Sequence, residues 1–113
     1  MSPGPRITYP SAIVLLAVTR GLRHGFDIID ASGLQSGTVY PALRRLEEAG
    51  LLRSKWESVR SARDAQRPPR RNYQITGVGA EVLREALARY PGLASALARS
   101  GAEPGGAPSP APA

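Results

Sequence analysis

Residues 36–45 read Ser-Gly-Thr-Val-Tyr-Pro-Ala-Leu-Arg-Arg. Wound as a helix, this stretch places Val39, Leu43 and Leu46 at spacings of four and three, which makes one apolar stripe. The opposite face then carries Thr38, Tyr40, Pro41, Arg44 and Arg45, with Ser36 at the start. Hydroxyl and guanidinium groups in that array suit hydrogen bonding to phosphate oxygens and base edges, and arginine can do so through two parallel bonds. A shorter helix ending at Asp30-Ala31-Ser32 precedes them, followed by a turn at Gly33. Two helices joined by a turn of about three or four residues containing Gly form a helix-turn-helix, whose second helix enters the DNA major groove.

Each of these residues also has a plainer role. Ser36 or Thr38 can cap the helix, and a cap can still touch phosphate. Pro41 is harmless if Thr38 is the cap, whereas a cap at Ser36 costs one backbone bond. Tyr40 is read as outward because Val39 already faces inward. Arg44 and Arg45 could pair with Glu47 or Glu48, a contact worth only ~0.3–0.5 kcal/mol on a helix surface. Contact with DNA by at least one of them is the favoured reading.

The 113 residues suit one small domain, and 15 Lys plus Arg against 9 Asp plus Glu give a formal charge of +6. A sequence pI near 10.8 is the electrostatic footprint of a nucleic-acid binder. Residues 53–71 concentrate it, with seven basic and two acidic residues. Without cysteine there is no disulfide, thiolate nucleophile or Cys-based zinc site, and the single His24 cannot assemble a metal site alone. No phosphate loop or nucleophile–base pair is present, so enzyme chemistry is not expected, nor is a cofactor or metal. The longest apolar run, Ala12 to Val18, is far shorter than the ~20 residues needed to span a bilayer, and a cytoplasmic, nucleoid-associated protein is expected.

The elements that would position these groups follow from the pattern. Residues 1–8 are expected to be flexible. A first helix from Tyr9-Pro10-Ser11 to Gly21 is apolar all round, needing cover on more than one side, for which a partner subunit is a natural candidate. The second helix starts near His24-Gly25-Phe26 with Phe26 and Ile29 inward, and the third spans roughly Ser36 to Ala49. Leu52, Ser54 and Trp56 alternate with Arg53, Lys55 and Glu57 as a half-buried strand, with Trp56 in the core. Asn72 to Thr76 form its partner. The connection, residues 58–71, is Arg-rich and broken by Pro68-Pro69, and is expected to stay mobile until DNA orders it. Arg67, Arg70 and Arg71 in this wing, with Lys55 on the strand, are further DNA candidates. Thr76 caps a helix with Val78, Val82, Leu83, Ala86, Leu87 and Tyr90 as its apolar stripe. Pro91-Gly92 interrupts it, and Leu93 to Arg99 add a short final turn. The fold is thus mainly α with a small β-hairpin: a winged helix-turn-helix over 9–76, a C-terminal helical region over 77–100 and a disordered Pro/Ala/Gly tail over 101–113.

Several runs together resemble the PadR-like transcriptional regulators. They are His24-Gly25-Phe26-Asp27-Ile28-Ile29, Ser36 to Glu47, Gly50-Leu51-Leu52, Trp56-Glu57, and Pro68-Pro69-Arg70-Arg71-Asn72-Tyr73-Gln74-Ile75-Thr76. The resemblance covers about residues 10–90. It implies a dimeric winged-helix repressor, released from its promoter by a small molecule or another signal. Ser36, Thr38, Tyr40, Arg45, Arg70 and Arg71 are then its DNA-facing residues. The first and C-terminal helices would build the homodimer, here through Ile13, Leu16, Val82, Leu83, Leu87 and Tyr90. Two departures stand out: a short link between the second and third helices, and one C-terminal helix that contains Pro91 and lacks tryptophan. An aromatic drug-binding pore is therefore not implied.

Three functional classes compete. One is a homodimeric operator-binding repressor, another a sensor that captures a small-molecule effector at the dimer interface, and the third a winged-helix protein-interaction adaptor without an operator. The cationic outer face of the third helix and the basic wing favour the first over the third.

Overall fold

A helix with no polar face organises this chain. In the computed structural model, which describes residues 6–101 with side chains to Leu97, α1 (Tyr9–Thr19) buries every residue from Ser11 to Val18. Its start is set by Thr8, whose hydroxyl accepts the Ser11 N–H at 3.3 Å, with Pro10 in the first turn where no N–H is needed. The cover comes from the same chain. α2 (Gly25–Ser32) and α3 (Ser36–Glu48) pack on α1, as do α5 (Gly77–Arg89) and α6 (Leu93–Gly101). Instead of a single C-terminal helix with a final turn, the chain thus has two helices, and α6 inserts Leu93 and Leu97 into the core. The first five residues and the tail beyond Gly101 lie outside the described residues.

Two expected phases are corrected. Phe26 does not face inward: it is 72% exposed, while Gly25, Ile28 and Ser32 form the buried stripe of α2. Small residues at both ends of that stripe let α2 approach its neighbours closely, which rotates Phe26 outward. On α5, Val82, Leu83 and Ala86 are buried but Val78 and Leu87 are exposed. There Gly79 replaces a large residue, because a Cβ at that position would run into the Leu51 carbonyl.

α3 begins after Gln35, one residue before Ser36 and three before Thr38, the two caps considered from sequence, and Gln35 makes no side-chain cap bond. Pro41 therefore lies inside the helix, and the Gly37 carbonyl loses its helical donor. The stripe is as expected, with Val39, Ala42, Leu43 and Leu46 buried. Gly50, at φ 80°, ends the helix in a left-handed turn that returns Leu51 N–H to the Leu46 carbonyl at 2.9 Å.

β1 (Leu52–Trp56) and β2 (Arg71–Ile75) then form an antiparallel hairpin pairing Leu52 with Ile75 at its base and Trp56 with Arg71 at its far end. The Tyr73 N–H donates to the Arg23 carbonyl at 2.9 Å, which docks β2 beside the start of α2. Leu52 is core, but by Trp56 the hairpin has left the body, so that side chain is 62% exposed rather than packed. The connection is not a featureless loop. It contains α4 (Val59–Asp64), capped by Ser58, whose hydroxyl accepts the Ser61 N–H at 3.0 Å. At the other end Tyr90 stacks edge-on against Tyr9, ring centroids 5.2 Å apart, and its hydroxyl donates to the Ile7 carbonyl at 3.3 Å. Within the segment expected to be flexible, Ile7 is thus packed against the core.

Replacing buried Leu43 by Ala should cost about 2–5 kcal/mol in urea unfolding. Phe26→Ala should stay within about 0.5 kcal/mol of the parent, as exposed positions do. A large loss at Phe26 would contradict its outward placement.

Candidate nucleic-acid interface

The outer face of α3 is free of internal pairing. Ser36, Tyr40, Arg44 and Arg45 are exposed and Thr38 is half-buried. Neither hydroxyl caps the helix, since Thr38 N–H and Val39 N–H both donate to the Gln35 carbonyl, at 2.9 and 3.0 Å. Glu47, a potential partner for Arg44, instead accepts from Ser54 Oγ at 2.7 Å and lies 3.7 Å from Arg71. Among the described residues, Arg44 and Arg45 pair with no carboxylate. The start of α3 thus presents hydroxyls and backbone N–H groups together, and about two turns further on it presents two unpaired cations. Such a helix end suits anions through both its dipole and its open donors.

Tyr40 is held from behind. Its ring lies over Gly25 so closely that a Cβ there would overlap it. The first turn of α2 is thereby a seat for the side chain, which stays 46% exposed. Between α2, α3 and the hairpin opens a cavity of about 320 Å³ that gathers Tyr40, Phe26, Trp56 and Tyr73 with His24, Arg70 and Arg71. Every aromatic residue of the chain except the Tyr9–Tyr90 pair lies there. Arg71 stands over the Trp56 ring, 5.3 Å from its centroid, and its Nε donates to Ser54 Oγ at 2.8 Å. Burial pushes the Tyr73 phenol up from its usual value, so it remains a neutral donor. His24 Nδ1 lies 3.3 Å from the Asp27 carboxylate.

The wing contributes exposed Arg53, Lys55, Arg60, Arg63 and Arg70, none paired with a carboxylate among the described residues. Of the residues singled out from sequence, Tyr40, Arg44 and Arg71 line one groove with Tyr73. Lys55 lies with Arg53 and Gln74 on another part of the hairpin. Arg67 is placed elsewhere. Its guanidinium holds the Glu57 carboxylate through both terminal nitrogens, one at 2.8 Å, so its head is turned into the wing. Arg67 above all, helped by the Arg70 N–H and the Ser61 hydroxyl, lowers the Glu57 pKa to about 2.

Gly25, Phe26 and Glu57 were not among the candidate residues, and Trp56 was assigned to the core. Glu57 had a signal, one of two acids among seven cations. Exposed Phe26 and Trp56 had none, because an aromatic on an amphipathic segment is ordinarily core.

Ile13, Leu16, Val82 and Leu83, expected at a dimer interface, are buried inside one chain, whereas Leu87 is exposed and Tyr90 half-buried. Among the described residues, no helix is long and apolar enough to cross a membrane, and no cluster of His, Asp and Glu could hold a metal ion.

Comparison with known proteins gives this surface a context. The model of the transcriptional regulator PadR-like family matches residues 14–85. A PadR-like transcription factor from Bacteroides fragilis is 31% identical, covering 75% of this chain and 82% of its own, with a TM-score of 0.59. A PadR family transcriptional regulator from Eggerthella lenta is 30% identical over 77% of this chain and 79% of its own, with a TM-score of 0.56. A PadR family regulator from Clostridium difficile, at 20% identity and a TM-score of 0.64, covers 78% of this chain and 93% of its own and shares the fold. No curated protein matches the sequence. The family is one of transcription regulators rather than enzymes, and its members bind DNA. With a family match across the helix-turn-helix, the hairpin and most of α5, this chain belongs to the PadR-like transcriptional regulators.

Proposed function

We propose that this regulator is a repressor that binds an inverted-repeat operator on the nucleoid as a homodimer, and that a small-molecule effector releases it. The observation that carries the DNA half of this reading is the pair of exposed, unpaired arginines on the outer face of α3, Arg44 and Arg45, beside a hairpin whose Arg53 and Lys55 pair with no carboxylate among the described residues. In this reading Ser36, Thr38 and Tyr40 meet base edges and nearby phosphates in the major groove, with Arg44 and Arg45 following. Lys55, Arg70 and Arg71 hold the backbone. Base contacts choose the sequence, and phosphate contacts supply most of the affinity.

The dimer takes its support from two-fold symmetry, which maps onto paired half-sites, and from Leu87, left exposed on α5. Because Ile13, Leu16, Val82 and Leu83 are covered within the chain, a dimer that keeps this fold uses Leu87 and Tyr90, and recruiting the others requires α6 to leave α1. Sedimentation should show two copies per operator duplex, with half-sites about one helical turn or a multiple apart. A monomer at micromolar concentration, unchanged by DNA, would remove the dimer.

Tyr40→Ala should leave thermal unfolding unchanged, yet cost about 1–3 kcal/mol against an operator selected from genomic fragments. Binding to random duplex should change far less. Gly25→Ala, which forces the Tyr40 ring off its seat, should show the same pattern more weakly. If Tyr40→Ala weakened operator and random duplex equally, the face would hold DNA without reading it.

Replacing Arg70 by Ala should weaken binding to all sequences alike. The slope of log affinity against log salt should fall by about 0.9 if one phosphate contact is lost. An unchanged slope would exclude Arg70 from the phosphate contacts.

A further inference from the structure

A carboxylate in the middle of a cationic surface works against binding a polyanion. Glu57 and Asp64 are the only acids among the seven cations of residues 53–71. The contacts of Glu57 give its placement a purpose. Arg67 reaches it through both terminal nitrogens, the Ser61 hydroxyl donates to it at 3.3 Å, and the Arg70 N–H donates to it at 3.2 Å. One carboxylate thus ties together α4, the residue that returns from it and the residue just before β2. The Glu57 N–H also donates to the Arg70 carbonyl at 2.8 Å, which closes the neck of the wing.

The backbone at the tip cooperates. α4 ends in a left-handed turn at Gln66, φ 59°, where Gln66 N–H donates to the Arg63 carbonyl at 2.9 Å and Arg67 N–H to the Ala62 carbonyl at 3.1 Å. That double bond pattern usually relies on Gly at the left-handed position. Here a glutamine adopts the conformation, and Arg67 is sent straight back to Glu57. Arg60, Arg63 and Arg70 are exposed around the closed loop.

We propose that Glu57 is a positioning residue for DNA binding, whose carboxylate closes the wing on Arg67 and fixes Arg60, Arg63 and Arg70 as one outward set of phosphate contacts. The proposal rests on the reading that this chain binds DNA through α3 and the wing. The carboxylate stays ionised at any working pH, because the same donors that close the loop hold its pKa near 2.

Glu57→Gln separates this role from a bystander charge, because the two predict opposite signs. Removing an unengaged negative charge beside DNA tightens binding. Opening the wing weakens it, by about tenfold on random duplex, and lowers the salt slope by about 0.9 for each cation no longer in place. Amide hydrogen exchange over residues 59–67 should become faster, while the amides of α1 and α3 keep their protection. Equal or tighter binding with an unchanged slope and protected wing amides would overturn the proposal. If Glu57→Gln fails to fold, Glu57→Arg combined with Arg67→Glu asks the same question at the parent's net charge. In this inverted pair the amides of residues 59–67 should exchange as slowly as in the parent, while Arg67→Glu alone exposes them, and equally fast exchange in both variants would overturn the proposal. A parent protein that binds no duplex at all would remove the DNA reading together with it.

Discussion

α1 has no face it can show to water. Eight consecutive residues, Ser11 to Val18, are buried, all but Ser11 of them apolar, so every other helix except α4 is placed by the need to cover some part of that cylinder. At about 25 cal/mol for each Å² of apolar surface removed from water, leaving one side open would be costly in a chain this small. The cover has two consequences. On one side α3 gives its apolar stripe to the core and is left with an outer face that carries Ser36, Tyr40, Arg44 and Arg45. On the other, Leu93 and Leu97 bring α6 back across the Pro91-Gly92 break, which makes a single chain sufficient to close the core.

From that constraint follows the division of labour in α3. Val39, Ala42, Leu43 and Leu46 fix the rotation of the helix, and the same rotation fixes where Tyr40, Arg44 and Arg45 point. The first turn of α2 refines it. A glycine at residue 25 admits the Tyr40 ring, and the hydrogen bond from Tyr73 to Arg23 brings the hairpin alongside. Tyr40 and the base of the hairpin thus both contact one short segment, residues 23–26.

What the sequence disclosed and what it hid divide along physical lines. α3, the hairpin and the capped start of α5 were legible because periodicity and capping chemistry are local. The inward placement of Phe26 and Trp56 failed because a large aromatic does not reveal where the core ends. Burial at α2 instead went to Gly25 and Ser32, through close approach that only three dimensions display. α4 was invisible for a related reason: Val59 and Ala62 are the only apolar members of its six residues, too few to show a period, and the contact that closes the loop around it runs from Glu57 to Arg67 across ten positions. The exposed hydroxyls of α3 followed from the pattern, but their freedom from capping depended on Gln35 starting the helix.

An organised wing changes the energetics of binding, whatever sequence is bound. A disordered, Arg-rich loop would have to be fixed at the moment of contact, at about 1–2 kcal/mol of backbone entropy for each residue ordered. With α4 capped by Ser58 and closed through Glu57, much of that ordering is complete before DNA arrives, and the cations around it are already spaced. The cost is one carboxylate in an otherwise positive field, largely offset by its direct pairing with Arg67. A net +5 over residues 53–71 remains to attract phosphate. The chain therefore exchanges one unit of raw charge for geometry, a favourable exchange only if the arginines act as a fixed array rather than as a diffuse cloud.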